Sequence, residues 1–201
     1  MTQGARLDRL LVVGLVASAV ALGADLMLVF AHLVGLAGVW TSAAVGGVAL
    51  ATVALGYRGL KDVVTGKAGT VLARVGLMVG VIAPLLHLLT ASVIASELQQ
   101  QAGTPVPPSA PMGLPFIRVL WFLLLVMAVL GSLVFAVAVS QTATRLPRWM
   151  AAVTPASLAL LISLGGLLTP WSDVVVVLSG NVAQLVFFVL VVLTVRPAAA
   201  R

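Results

Sequence analysis

The stretch Leu10–Leu33, LLVVGLVASAVALGADLMLVFAHL, is an apolar run interrupted by one carboxylate, Asp25. As a helix it would be about 36 Å long, enough to cross a hydrocarbon layer about 30 Å thick. A surface helix of a soluble protein would carry a charged face over that length, and this one has none. Five further apolar stretches follow, Gly38–Tyr57, Val71–Ser96, Phe116–Thr142, Pro147–Thr169 and Ser172–Thr194, separated by charges and by Pro/Gly clusters. Helices are the expected form, because open strands leave backbone groups unsatisfied in lipid. The alternation of a membrane β-barrel is missing. The reading is an all-α membrane protein, a six-transmembrane-helix bundle in a single domain over residues 1–201.

Composition points the same way. Of 201 residues, 62% are hydrophobic and 8% charged, and mean hydropathy is +1.23. Soluble domains run near a quarter charged, so lipid must cover most of this surface. Cysteine is absent, which excludes disulfide frameworks, thiol catalysis and iron–sulfur ligation. The net charge of +6 does not imply nucleic acid. No aromatic-and-basic stripe accompanies it, and loop-borne positive charge fits anionic lipid headgroups.

Loop charges predict the orientation. Arg6 and Arg9 precede the first stretch, and Arg58, Lys61, Lys67 and Arg74 follow the second. Arg145 and Arg148 follow the fourth, and Arg196 and Arg201 close the chain. Ten of the eleven basic residues thus fall on alternate connections, with Arg118 alone on the other side. The positive-inside rule then predicts a multi-pass protein of the inner (cell) membrane with both termini in the cytoplasm. Ala17-Ser18-Ala19 imitates a signal-peptidase site, but the apolar run continues past it and argues against cleavage. Trp149 is expected at the inner interface, and Trp40 and Trp171 at the outer one, as belt anchors. Pro147 is expected in the first turn of the fifth helix. Glu97 to Pro115, with three glutamines and five prolines, is expected as an extended polar outer loop.

Ionisable groups inside a membrane are costly, which makes them candidates for function. By helical rise, Asp25 lies about 12 Å, His87 about 14 Å and Asn181 about 12 Å from the outer ends of their spans. Gln184 is one turn deeper. An acid, an imidazole and an amide on three helices therefore share one depth. Gly76, Gly80 and His87 fall within about 40° on a helical wheel, so the histidine should share a small-residue packing face. Ser18, Asp25 and His32 recur every seven residues as a polar stripe, with His32 and Arg118 near its outer mouth. An Asp25–His87 pair could share one proton and serve as general acid and base. Interhelical hydrogen bonding is the structural alternative.

Other chemistries find little support. There is no P-loop or dinucleotide fingerprint. Two histidines without ligand spacing make no metal site, and no cofactor is expected. Ser18, Ser92 and Ser179 supply hydroxyls, but no elbow motif marks a nucleophile.

Gly23-Ala24-Asp25-Leu26-Met27-Leu28, His87, Leu146-Pro147-Arg148-Trp149-Met150 with Pro155, and Asn181 with Phe187-Phe188 carry a resemblance. The chain resembles a group of small six-span bacterial membrane proteins classed as a domain of unknown function. That resemblance implies the six-helix bundle, brings no established activity, and marks Asp25, His87 and Asn181. Membrane cyclases and sterol-type isomerases are similar in size, but their Trp-Glu signatures are missing here.

The leading expectation is an acid–base enzyme acting on a lipophilic, isoprenoid-like molecule. Asp25 and His87 would be catalytic, and Asn181, Gln184, Arg118, His32 and Ser18 would bind substrate. A small proton-coupled transporter and a non-catalytic assembly subunit are the alternatives. Membrane lipids and a lipophilic molecule are the expected partners, nucleic acid is not one, and homo-oligomerisation stays open.

Overall fold

The computed structural model describes residues 3–103, 110–141, 144 and 146–195. Six α-helices account for nearly all of them: α1 Gln3–Val29, α2 Ala31–Val63, α3 Gly66–Gln101, α4 Ala110–Gln141, α5 Pro155–Gly166 and α6 Ser172–Val195. Five contain runs long and apolar enough to cross a membrane, with α5 the short exception. The chain is an all-α membrane bundle.

Contacts give the sense of each helix. Gly14 meets Gly56, and the Ala24 carbonyl meets Ser42, so α1 and α2 are antiparallel. Gly76 packs on Tyr57 and Gly80 on Ala54, while His87 reaches Ser42; α3 therefore reverses α2. Val75 touches Gly131 and Val79 clusters with Leu124, which makes α4 antiparallel to α3. Asn181 bonds Asp25, and Phe188 abuts Gly14, so α6 runs against α1. It follows that α4 and α6 point the same way and that residues 147–171 must carry the chain back. The bundle is crossed six times.

The fifth crossing is not the continuous helix expected over Pro147–Thr169. A 3₁₀ turn, Arg148–Ala151, comes first, and α5 has only 12 residues, about 18 Å. Pro155, not Pro147, takes the first helical position. Thr154 Oγ1 accepts from the Ser157 amide at 3.2 Å, and Ser157 Oγ accepts from the Thr154 amide at 2.9 Å, a reciprocal cap that sets this start. The Ala156 amide also donates to Ser132 Oγ of α4 at 3.1 Å, placing the start inside the bundle.

Other boundaries moved too. The first stretch was expected to run to Leu33, but α1 ends at Val29 and α2 begins at Ala31. The chain bends at Phe30 and again at Gly35, whose φ of 65° and ψ of −173° suit glycine alone. The expected outer loop from Glu97 to Pro115 is mostly helix. Glu97 and the glutamines extend α3 to Gln101, and α4 begins at Ala110, consistent with good helix propensity and with tolerance of Pro111 in a first turn, while Pro115 lies inside α4.

Two packing regions result. At the end holding Arg9, Arg58, Lys61, Lys67 and Arg148, hereafter the basic end, Leu11, Leu60, Leu72, Phe135, Met150, Phe187 and Phe188 form the largest apolar cluster. Phe135 meets Phe187 edge-on at 5.1 Å, and Tyr57 meets Phe188 at 5.6 Å. In the other half the side chains are small. Ala21, Ala49 and Ala83 form one cluster with Leu50. Ala31, Ala43, Ala91 and Ala95 form another with Leu28 and Val39. Between these two alanine-rich clusters lies the polar centre.

Candidate functional site

Asp25 sits one turn before the end of α1. Its Oδ1 lies 3.0 Å from Nδ1 of His87 on α3, and its Oδ2 accepts from Nδ2 of Asn181 on α6. The far side of the imidazole is held by α2. His87 Nε2 donates to the Ser42 carbonyl at 3.0 Å, and Ser42 Oγ donates to the Ala24 carbonyl at 2.7 Å. Four helices thus converge on one acid–imidazole pair.

Small residues make the approach possible. Gly46, one turn after Ser42, packs against the imidazole, where a β-carbon would collide with Nε2 and lie 2.8 Å from Ala24 Cβ. The histidine side chain is 4% accessible and that of Asp25 17%, so the pair is covered while the carboxylate edge remains reachable.

Its partners define the protons. Nε2 faces a carbonyl and must carry hydrogen. Nδ1 faces a carboxylate oxygen, so a single proton lies between Asp25 and His87, on one or the other. Ser42 Oγ is 3.4 Å from Nε2, an arrangement superficially like a Ser-His-Asp hydrolase. Proton directions argue against that reading. Nε2 is a donor here, the Ser42 hydroxyl is directed at Ala24, and Ser42 is fully buried, whereas a nucleophile needs a base and access.

Among the residues singled out from sequence, Asp25, His87 and Asn181 come together. Gln184 is buried one turn from Asn181, and its Nε2 has no hydrogen-bond acceptor among the described residues. Leaving such a group unpaired costs about 1–3 kcal/mol. Ser18 is buried and donates to the Gly14 carbonyl at 2.8 Å. His32 does not join the stripe: the break at Phe30 carries it onto α2, where it is exposed. Arg118 is exposed on α4, and the single ion pair among the described residues is Asp25–His87. Ser42 and Gly46 were missed. Their four-residue spacing in the small-residue second stretch was the available signal.

A separate groove of about 650 Å³ runs along the outer faces of α1 and α2. Val13, Val16, Val20, Val45 and Val48 line it, and none of the polar centre does. Among the described residues no cluster of three His, Cys, Asp or Glu side chains could hold a metal.

Fold and site together define an all-α polytopic membrane protein with a buried acid–imidazole pair clasped by four helices. Compared with family models, curated proteins and solved structures, the chain has no match.

Proposed function

We propose that this is a proton-coupled carrier of the cell membrane, with the Asp25–His87 pair as its proton site and the basic end toward the cytoplasm. The observation that carries this reading is the engagement of the pair. Both carboxylate oxygens and both ring nitrogens bond to groups borne on helices. An acid–base catalyst must bring its proton-bearing atom within about 2.6–3.2 Å of a substrate; here each of these atoms already has a helix-borne partner, and only the remaining lone pairs of the Asp25 oxygens stay open. A coupling site has no such need. It must hold helices together in one protonation state and release them in another.

The pair has that property. With the shared proton present, Asp25 and His87 bond α1 to α3. With it removed, a carboxylate oxygen and a nitrogen lone pair face each other across 3.0 Å and repel. Packing alone would be served by neutral groups, without an ionisable pair in hydrocarbon.

The enzyme reading keeps one supporting observation, the 17% accessibility of Asp25, with Gln184 Nε2, which has no acceptor among the described residues, one turn along α6 from Asn181. It would have a lipophilic substrate enter next to the carboxylate. A co-purifying lipophile that native mass spectrometry finds in the wild type and not in Asp25→Asn would favour it.

Infrared difference spectra of the protein in liposomes, recorded across pH, test the coupling. The expected result is a pH-dependent change in carboxyl or imidazole bands that is absent from Asp25→Asn and accompanies a change in tryptophan fluorescence. No such change, or one without any fluorescence or amide change, would reduce the centre to a static clasp of an assembly subunit.

A further inference from the structure

We propose that Gln184 and Ser18 hold an internal water between α1 and α6, and that this water exchanges protons with the Asp25–His87 pair. The proposal rests on the proton-site reading above. It starts from the buried Gln184 Nε2, which has no acceptor among the described residues, although Gln184 is more than nine-tenths buried.

Helix phase shows what that amide faces. On α6, Asn181 and Phe188 both touch α1. Gln184 lies between them in sequence and within about 60° of each on the wheel, so it belongs to the same interface. On α1, Gly14 and Asp25 are the residues those side chains meet. Ser18 lies between them and within about 40° of both. The antiparallel pairing of Gly14 with Phe188 and of Asp25 with Asn181 brings Gln184 to the level of Ser18 and Ala21. Both are almost fully buried.

The donor and acceptor set suits a water. Buried waters make about three hydrogen bonds. Gln184 Nε2 can donate to one. The Ser18 hydroxyl gives its proton to Gly14 and keeps its lone pairs as acceptors. Asn181 gives its amide to Asp25 and keeps its carbonyl oxygen as an acceptor. One donor and two acceptors lie along this α1–α6 interface, Asn181 at the carboxylate, Gln184 about one turn and Ser18 about two turns from it. A larger ligand would have to displace Ala21, which is tightly packed.

Solid-state NMR on the protein in bilayers tests this, with the Gln184 amide assigned by its loss in Gln184→Leu. Magnetisation should pass from water to that amide, and Ser18→Ala should weaken the transfer. Gln184→Leu replaces an unpaired polar group with an apolar one of similar shape and should fold normally. The His87 ring proton should then exchange with water about tenfold more slowly, on the order expected for losing one hydrogen-bonded step. A wild-type amide with no water contact overturns the proposal. So does unchanged His87 exchange in Gln184→Leu with the Asp25–His87 contact intact. Should the pair show no pH-dependent infrared change while Gln184 still contacts water, the proton site fails and the hydration site stands.

Discussion

The two halves of this bundle use the same helices and pack by different rules. Toward the basic end, Tyr57, Phe135, Phe187 and Phe188 interlock edge to face in a large apolar cluster. In the other half, alanines and Gly46 bring backbones close enough for Asp25, His87, Asn181 and Ser42 to bond across helices. Aromatic packing is held by dispersion over many contacts and tolerates no gap. A polar centre is held by few bonds whose strength depends on where one proton sits. The aromatic half can therefore serve as a fixed base while the polar half responds to protonation.

The largest expected effect falls on the aromatic half. Phe188→Ala removes a fully buried ring and should cost about 3–5 kcal/mol in detergent unfolding. The pH-dependent infrared change proposed for the Asp25–His87 pair should persist in the protein that stays folded. If it vanishes with the ring, the halves are not separable.

Next comes the seat of the imidazole. Gly46→Val collides with His87 and should cost about 1–3 kcal/mol by overpacking, with loss of the infrared change proposed for the pair. Gly23→Ala and Gly47→Ala, where the added methyl meets open space, should stay within about 0.5 kcal/mol of wild type. Equal melting temperatures for Gly46→Val and Gly47→Ala would contradict the close approach of α2 to α3.

Smaller stability changes are expected from the pair itself. Asp25→Asn and His87→Gln should each cost about 1–2 kcal/mol, because helices separated within a bilayer still find other partners. The double variant should melt close to either single one, since the second change removes a bond already lost. Additive losses would show that the residues act separately. Both single variants should lose proton-linked activity whatever their melting temperature.

Assigning sides to the two halves involves no stability change. Cysteines at Gly66 and Thr144, near the basic end, should be protected from an impermeant thiol reagent in intact cells, and one at Gly103 should be labelled. Labelling at Gly66 would reverse the orientation.

Much of the centre was legible because depth and phase follow from helical geometry alone. Asp25, His87 and Asn181 were placed at one depth by counting residues, and Gly76 and Gly80 put His87 on a packing face. The structure has Gly76 against Tyr57 and Gly80 against Ala54. His32 was misplaced because its stripe assumed an unbroken helix, and the bend at Phe30 carries no proline or polar run to announce it. The fifth span was misread for a related reason. Pro147 and Pro155 both offer a helix start, and the choice depends on the Thr154–Ser157 cap and on Ser132 from α4. Ser42 was passed over because a serine in a small-residue span gains meaning only from what faces it.

The sequence by itself determined the solvent and the secondary structure. A chain 62% hydrophobic and 8% charged must put its surface in lipid, and lipid admits helices. It also placed Asp25, His87 and Asn181 at a common depth, because each lies inside an apolar run whose helical rise is fixed. Only the tertiary structure decided which groups pair: that Asp25 divides its oxygens between His87 and Asn181, that Ser42 and Gly46 close the imidazole's far side, and that Gln184 Nε2 finds no acceptor among the described residues. Helix geometry sets depth and phase along one segment. Pairing depends on crossing and close approach between segments far apart in the chain, which sidechains on both partners set together.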